Sequence, residues 1–94
     1  MTPLEKEIES RLVKLVKRRG GLCLKSVCPG WAGVPDRIVL LPRGRVVFVE
    51  LKRPKGGELS NRQKWWARKL EALAQEYWTI WNWNDLDEFE EVVL

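Results

Sequence analysis

The sequence predicts a small α/β domain, with elements in the order α-β-β-β-α-β and a short C-terminal helix. Three observations carry that expectation. Leu4, Ile8, Leu12, Leu15 and Val16 recur at helical spacing near the N-terminus. Two runs rich in Val, Ile and Leu, Arg37–Leu41 and Val46–Leu51, flank the turn sequence Pro42-Arg43-Gly44. A second helical stretch opens at Ser60 and is followed by the alternating run Tyr77–Trp83. With 94 residues the chain makes one domain, 1–94, near the lower limit for a self-sufficient core.

Taken in order, Thr2 is placed to cap the first helix and Pro3 to occupy its first position. The helix is expected to run to about Arg19 and to stop at Gly20-Gly21. Helical geometry puts Glu5 inside the apolar stripe, Glu9 at its edge and Glu7 away from it. An inward glutamate needs a partner, although acids also collect in first turns because of the helix dipole. Leu22–Val27 reads as a first strand on which Lys25 shares a face with Cys23. Lys25 is placed either to reach a phosphate or simply to be solvated. Cys28-Pro29-Gly30-Trp31-Ala32-Gly33 is a turn-rich loop leading into Pro35-Asp36. Trp31 there has two roles open, stacking on a base or serving as a packed loop anchor; the second is the commoner fate.

The turn Pro42-Arg43-Gly44 sets the register of the strands it joins. A three-residue loop with glycine in the left-handed slot pairs Leu41 with Arg45. Counting back, Asp36 falls opposite Glu50, and directly opposed residues share a face. Lys52, two residues on, projects from that face as well. The second strand is apolar on both sides and is therefore expected to be central. An internal ion pair with Lys52 is the bland account of these residues. Unpaired carboxylates in such a place repel one another and resist desolvation. A hard divalent cation removes both problems, and Mg²⁺ accepts one or two carboxylates together with phosphate oxygens.

Beyond Lys52, Arg53-Pro54-Lys55-Gly56-Gly57 is a basic loop whose Arg53 and Lys55 suit phosphate contacts. Ser60 then caps a helix expected to reach about Glu76, and Ser60-x-x-Gln63 fits a capping box. Gln63 shares a helical face with Trp66 and Leu70, whereas Arg62, Lys64, Arg68 and Lys69 make a basic side, either solvated or a track for DNA. Tyr77–Trp83 carries aromatics on both faces. Asn84-Asp85 is expected to open the last helix, with Leu86, Phe89, Val92 and Val93 as its apolar set. Trp65, Trp81 and Trp83 exceed the needs of so small a core, and some of them are read as a homodimer interface, where tryptophan is enriched.

Composition narrows the chemistry. The chain has no histidine, which excludes Ser-His-Asp and Cys-His catalysis and histidine-based metal hydrolysis. Cys23 and Cys28 lack zinc-site spacing and are expected to be reduced. All 17 Lys and Arg precede Asp85, and five of the 13 acids lie in 85–91, so residues 1–84 carry 17 minus 8, or +9. A basic body suits a polyanion. No apolar run approaches the ~20 residues of a membrane span, and the N-terminus mixes acids with bases unlike a signal peptide. A cytoplasmic location is expected, that of the host if the source is viral.

Gly33-Val34-Pro35-Asp36, Val49-Glu50-Leu51-Lys52, Leu59-Ser60-Asn61-Arg62-Gln63 and the helix opening Leu4-Glu5-Lys6-Glu7-Ile8-Glu9 together resemble the VRR-NUC (virus-type replication-repair nuclease) family of the PD-(D/E)xK nuclease superfamily. The likeness spans nearly the whole chain. It implies a restriction-endonuclease-like fold with a central mixed sheet flanked by helices. It further implies a metal-dependent DNA endonuclease, with Asp36, Glu50 and the Leu51 carbonyl holding Mg²⁺ or Mn²⁺ and Lys52 acting on the attacking water. Glu5, or Glu9 in its stead, would complete the shell, and Gln63 would support the site. Minimal members of this kind look like dimeric resolvases of four-way (Holliday) junctions that need no small-molecule cofactor. Alternatives are a monomeric flap or nicking nuclease, and a non-catalytic DNA-binding protein that keeps the fold.

Overall fold

The computed structural model describes residues 3–53 and 56–94. Helix α1 spans Pro3–Arg18 and is followed by strands β1 (Leu22–Lys25), β2 (Arg37–Leu41) and β3 (Arg45–Leu51). Helix α2 (Asn61–Ala72), strand β4 (Glu76–Ile80) and helix α3 (Trp83–Val93) complete the chain. The expected order of elements is observed. Thr2, read as the first helix cap, lies outside the described residues.

The sheet order is β1-β2-β3-β4, antiparallel except that β4 runs parallel to β3. The sheet is therefore mixed, with β3 an interior strand as expected. The hairpin register also follows the turn: Leu41 pairs with Arg45 and Arg37 with Val49. Within the turn both Arg43 and Gly44 adopt left-handed backbone, with φ of 69° and 79°. Arg45 then forks onto Glu76 at 2.9 and 2.7 Å and donates to the Val93 carbonyl at 3.1 Å. That one side chain ties the start of β3 to β4 and to the end of α3.

The two faces of the sheet are built for different purposes. Val39, Val47, Val49, Leu51 and Ile80 point to one face and are buried against Ile8, Leu12, Leu15 and Val16 of α1 and Leu86, Phe89 and Val93 of α3. Trp78 meets Phe89 edge-on with centroids 5.4 Å apart. This is the main core. On the other face, Ile38, Phe48 and Glu50 alternate with the core residues, and α2 covers part of that surface through Trp66 and Leu70.

Four boundaries differ from the sequence expectation. Strand β1 ends at Lys25, short of Val27, whose side chain is 81% exposed. Helix α1 ends at Arg18, one residue early. Helix α2 stops at Ala72 because Ala74 turns left-handed (φ 58°), with Ala74 N–H donating to Glu71 and Gln75 N–H to Leu70. These are the bonds of a Schellman stop, made here without glycine. Strand β4 ends at Ile80, and Asn82 caps α3 by accepting the Asp85 N–H at 2.8 Å. Trp83 is accordingly the first residue of a helix and not the end of a strand.

Candidate active site

Extending the β2–β3 register by one residue sets Asp36 opposite Glu50. Both lie on the face partly covered by α2, where the parallel pairing brings Thr79 beside Glu50. Asp36 is fixed by its own neighbours. Its Oδ2 accepts the Leu51 N–H at 2.8 Å and its carbonyl accepts the Ser26 N–H at 3.0 Å. The preceding residues are held as firmly. Gly33 has φ +78°, and a Cβ there would lie 2.7 Å from Cβ of Arg62. Only glycine lets this loop close onto the start of α2.

Glu50 is 1% exposed, and neither of its carboxylate oxygens has a hydrogen-bond partner among the described residues. Its pKa is pushed up to about 9, first by burial and then by the facing Asp36 carboxylate, while Lys52 pulls weakly the other way. Two acids facing each other supply four lone-pair edges and no donor unless one holds a proton. Such a pair accepts either a proton or a cation. No described cation forms an ion pair with it, so the bland internal salt bridge is not what the structure builds. Lys52 continues the strand edge, its N–H bonded to the Ile80 carbonyl at 3.0 Å. The donor set (two carboxylates and the Leu51 carbonyl at one strand end) suits a hard divalent ion.

The structure does not gather every predicted residue. Among the described residues no three acids or thiols come together as a metal cluster. Helix α1 packs on the opposite face, and its Glu9 is engaged by Arg37 at 2.9 Å. Arg37 in turn donates to the Cys23 carbonyl. Lys25 pairs with Arg37 in register and so also stands on the face away from Asp36. Gln63 completes the capping box, its Oε1 accepting the Ser60 N–H at 2.8 Å and its own N–H donating to Ser60 Oγ at 3.1 Å. Its amide nitrogen has no bond in the cap and is left for other partners. Arg53 and Arg62 are exposed, and Lys55 lies outside the described residues.

Trp65 is half-buried. It packs with Trp31 and Trp66 in a cluster with ring centroids 5.2–6.4 Å apart. Trp81 is half-buried, which leaves Trp83, 41% exposed, as the outward member of the proposed set. Sequence reasoning missed Tyr77 and Thr79, joined by a 3.0 Å hydroxyl bond on the same face as Glu50. Their placement depends on the β3–β4 register, for which no turn gives a signal. Burial raises the Tyr77 phenol, and the Glu50 and Asp36 carboxylates add to that rise, which marks how near it lies.

This architecture has been seen before. A solved structure described as "VRR_NUC domain" superposes with a TM-score of 0.91, covering 99% of this chain and 100% of that one at 22% identity. The chain has the VRR_NUC fold. A phage protein, "Putative nuclease p44" of Acyrthosiphon pisum secondary endosymbiont phage 1, is 52% identical over 50 residues. Those residues are 53% of this chain and 54% of the phage protein, so the match spans about half of each. No family model matches the chain. The resemblance read from the sequence thus holds at the level of the VRR_NUC fold, and a nuclease-named relative shares half the chain.

Proposed function

We propose that this chain is a metal-dependent DNA endonuclease that hydrolyses phosphodiester bonds, with Asp36, Glu50 and Lys52 as its catalytic residues. The observation that carries the reading is Glu50: a carboxylate 1% exposed, without a hydrogen-bond partner among the described residues, facing a second carboxylate. Burying that pair for stability alone is unfavourable. Asp36, Glu50 and the Leu51 carbonyl would hold Mg²⁺ or Mn²⁺. When bound, such an ion acidifies the attacking water and neutralises charge on the phosphate.

The chain's own residues do the rest. The Leu51 N–H fixes the rotation of the Asp36 carboxylate, so one oxygen is committed and the other is aimed at the ligand. Lys52 orients the water, accepts its proton when neutral, and as an ammonium stabilises the phosphoryl oxygens. A P–O bond to the water oxygen forms, and the bond to one bridging oxygen breaks. Arg53 and Arg62 attract the backbone without reading sequence.

Four-way junctions are the proposed substrate, cut by a homodimer whose two-fold axis matches that of the junction. The outer strand offers a contact for a second copy, with Leu22 and Leu24 60% and 44% exposed. The test is incubation of wild type, Asp36→Asn and Lys52→Ala with labelled four-way, flap and linear DNA in Mn²⁺, together with the solution mass. Wild type alone should cut, junctions first, as a dimer, while both variants still bind. Equal cleavage by Asp36→Asn overturns the site; a monomer preferring flaps overturns the substrate.

A further inference from the structure

Trp31, Trp65 and Trp66 form one surface cluster beside the catalytic edge. Trp31 lies nearly parallel to Trp65, 25° between planes and 6.4 Å between centroids, while Trp66 meets both edge-on. Trp31 is nevertheless 52% exposed. Its loop is pinned to α2 at two points. The Trp66 indole N–H donates to the Ala32 carbonyl at 2.9 Å, and Gly33 sits against Arg62 closer than any side chain would allow. Arg62 lies over the Trp65 ring at 5.0 Å, within cation–π range.

An indole that served only to fill the core would be covered. This one is held rigid and left half in water, in a cationic setting, five residues before Asp36. Flat aromatic faces bordered by guanidinium groups are what an unpaired nucleobase recognises: the ring takes the base and the cation takes its phosphate. A pre-ordered ring loses little freedom on binding, which favours affinity. Paired bases inside a duplex present no open face to such a ring.

Resting on the nuclease reading, we infer that Trp31, backed by Trp65 and flanked by Arg62, is a stacking platform for an unpaired nucleobase. Through it the enzyme holds a base that opens at the branch point of its junction substrate. The probes are an oligothymidylate single strand and a blunt duplex of the same length, bound in EDTA so that nothing is cut. Trp31→Ala should weaken the single strand roughly 5- to 150-fold, the range that ~1–3 kcal/mol per stacked base represents, and the duplex less than about twofold. Trp31→Phe should restore most of the difference. Independently, a 2-aminopurine strand should lose fluorescence on binding the wild type. Equal weakening of both probes by Trp31→Ala, or no loss of 2-aminopurine emission, overturns the platform. Cleavage with no single-strand preference would sink the platform alone; preference without cleavage would sink the nuclease reading alone.

Discussion

Replacing Glu50 by glutamine should make the metal-free protein more stable. Glutamine keeps the shape and offers an N–H to Asp36 without first having to take up a proton. The size follows from linkage. Glu50 has its ordinary value of 4.5 when unfolded and about 9 when folded. A raised folded value means that its contribution to stability is complete below the unfolded pKa. That contribution is lost as pH rises toward the folded one. At pH 7 the unfolded carboxyl has given up its proton and the folded one has not. The gap of 2.5 units, at 1.36 kcal/mol each, sets an upper limit of about 3 kcal/mol. For a domain of this size, 1 kcal/mol moves the midpoint roughly 4–8 °C.

Thermal melts of wild type and Glu50→Gln in EDTA, from pH 5 to pH 9, test this directly. The variant should match wild type near pH 5 and exceed it increasingly as pH rises. Mn²⁺ should then reverse the ranking at pH 7, because an ion held by the acid pair stabilises wild type by ~4.1 kcal/mol at a thousand times its dissociation constant. A variant less stable than wild type throughout, or an unchanged response to Mn²⁺, would refute the reasoning.

Glu9→Gln, the same chemical change on the other face, should destabilise by roughly 3 kcal/mol in urea, since it strips Arg37 of its charge partner in a pair whose side chains are only 11% and 14% exposed. Gly33→Ala should cost about 1–3 kcal/mol through the contact with Arg62 and the positive φ, and circular dichroism should show the sheet retained. Ala74→Gly should raise the unfolding free energy measured in urea by up to about 1 kcal/mol, because it relieves a left-handed alanine at the end of α2.

What was legible in the sequence is what local chemistry dictates. Pro42-Arg43-Gly44 fixed the hairpin register, and with it the opposition of Asp36 and Glu50, because loop length leaves one pairing. Ser60 and Gln63 announced their cap for the same reason. The misplacements share a different cause. Helix α2 ends at an alanine, where no composition rule marks a left-handed residue, and the aromatic alternation through Trp83 hid the Asn82 cap. Helical phase placed Glu9 only at the edge of the apolar stripe, where the fold buries it, and phase does not say which side of the sheet the helix packs on. Trp65 packs on Trp31, a loop residue 34 positions away, and sequence spacing does not announce that contact.

The contrast between the two buried acids is the strongest physical argument for a ligand. Glu9, 8% exposed, is matched by a guanidinium at 2.9 Å, the usual way a fold accommodates an inward carboxylate. Glu50 is buried more deeply, has Lys52 two residues along the same strand face, and yet is bonded to no described cation; it faces another acid instead. A fold able to neutralise one carboxylate on the core face could do the same at the other. Repulsion kept in place on an interior strand is consistent with a site whose counter-charge arrives from solution. Opposite signs for Glu9→Gln and Glu50→Gln are therefore the expected signature, and equal destabilisation by both would mean that Glu50 is an ordinary structural acid.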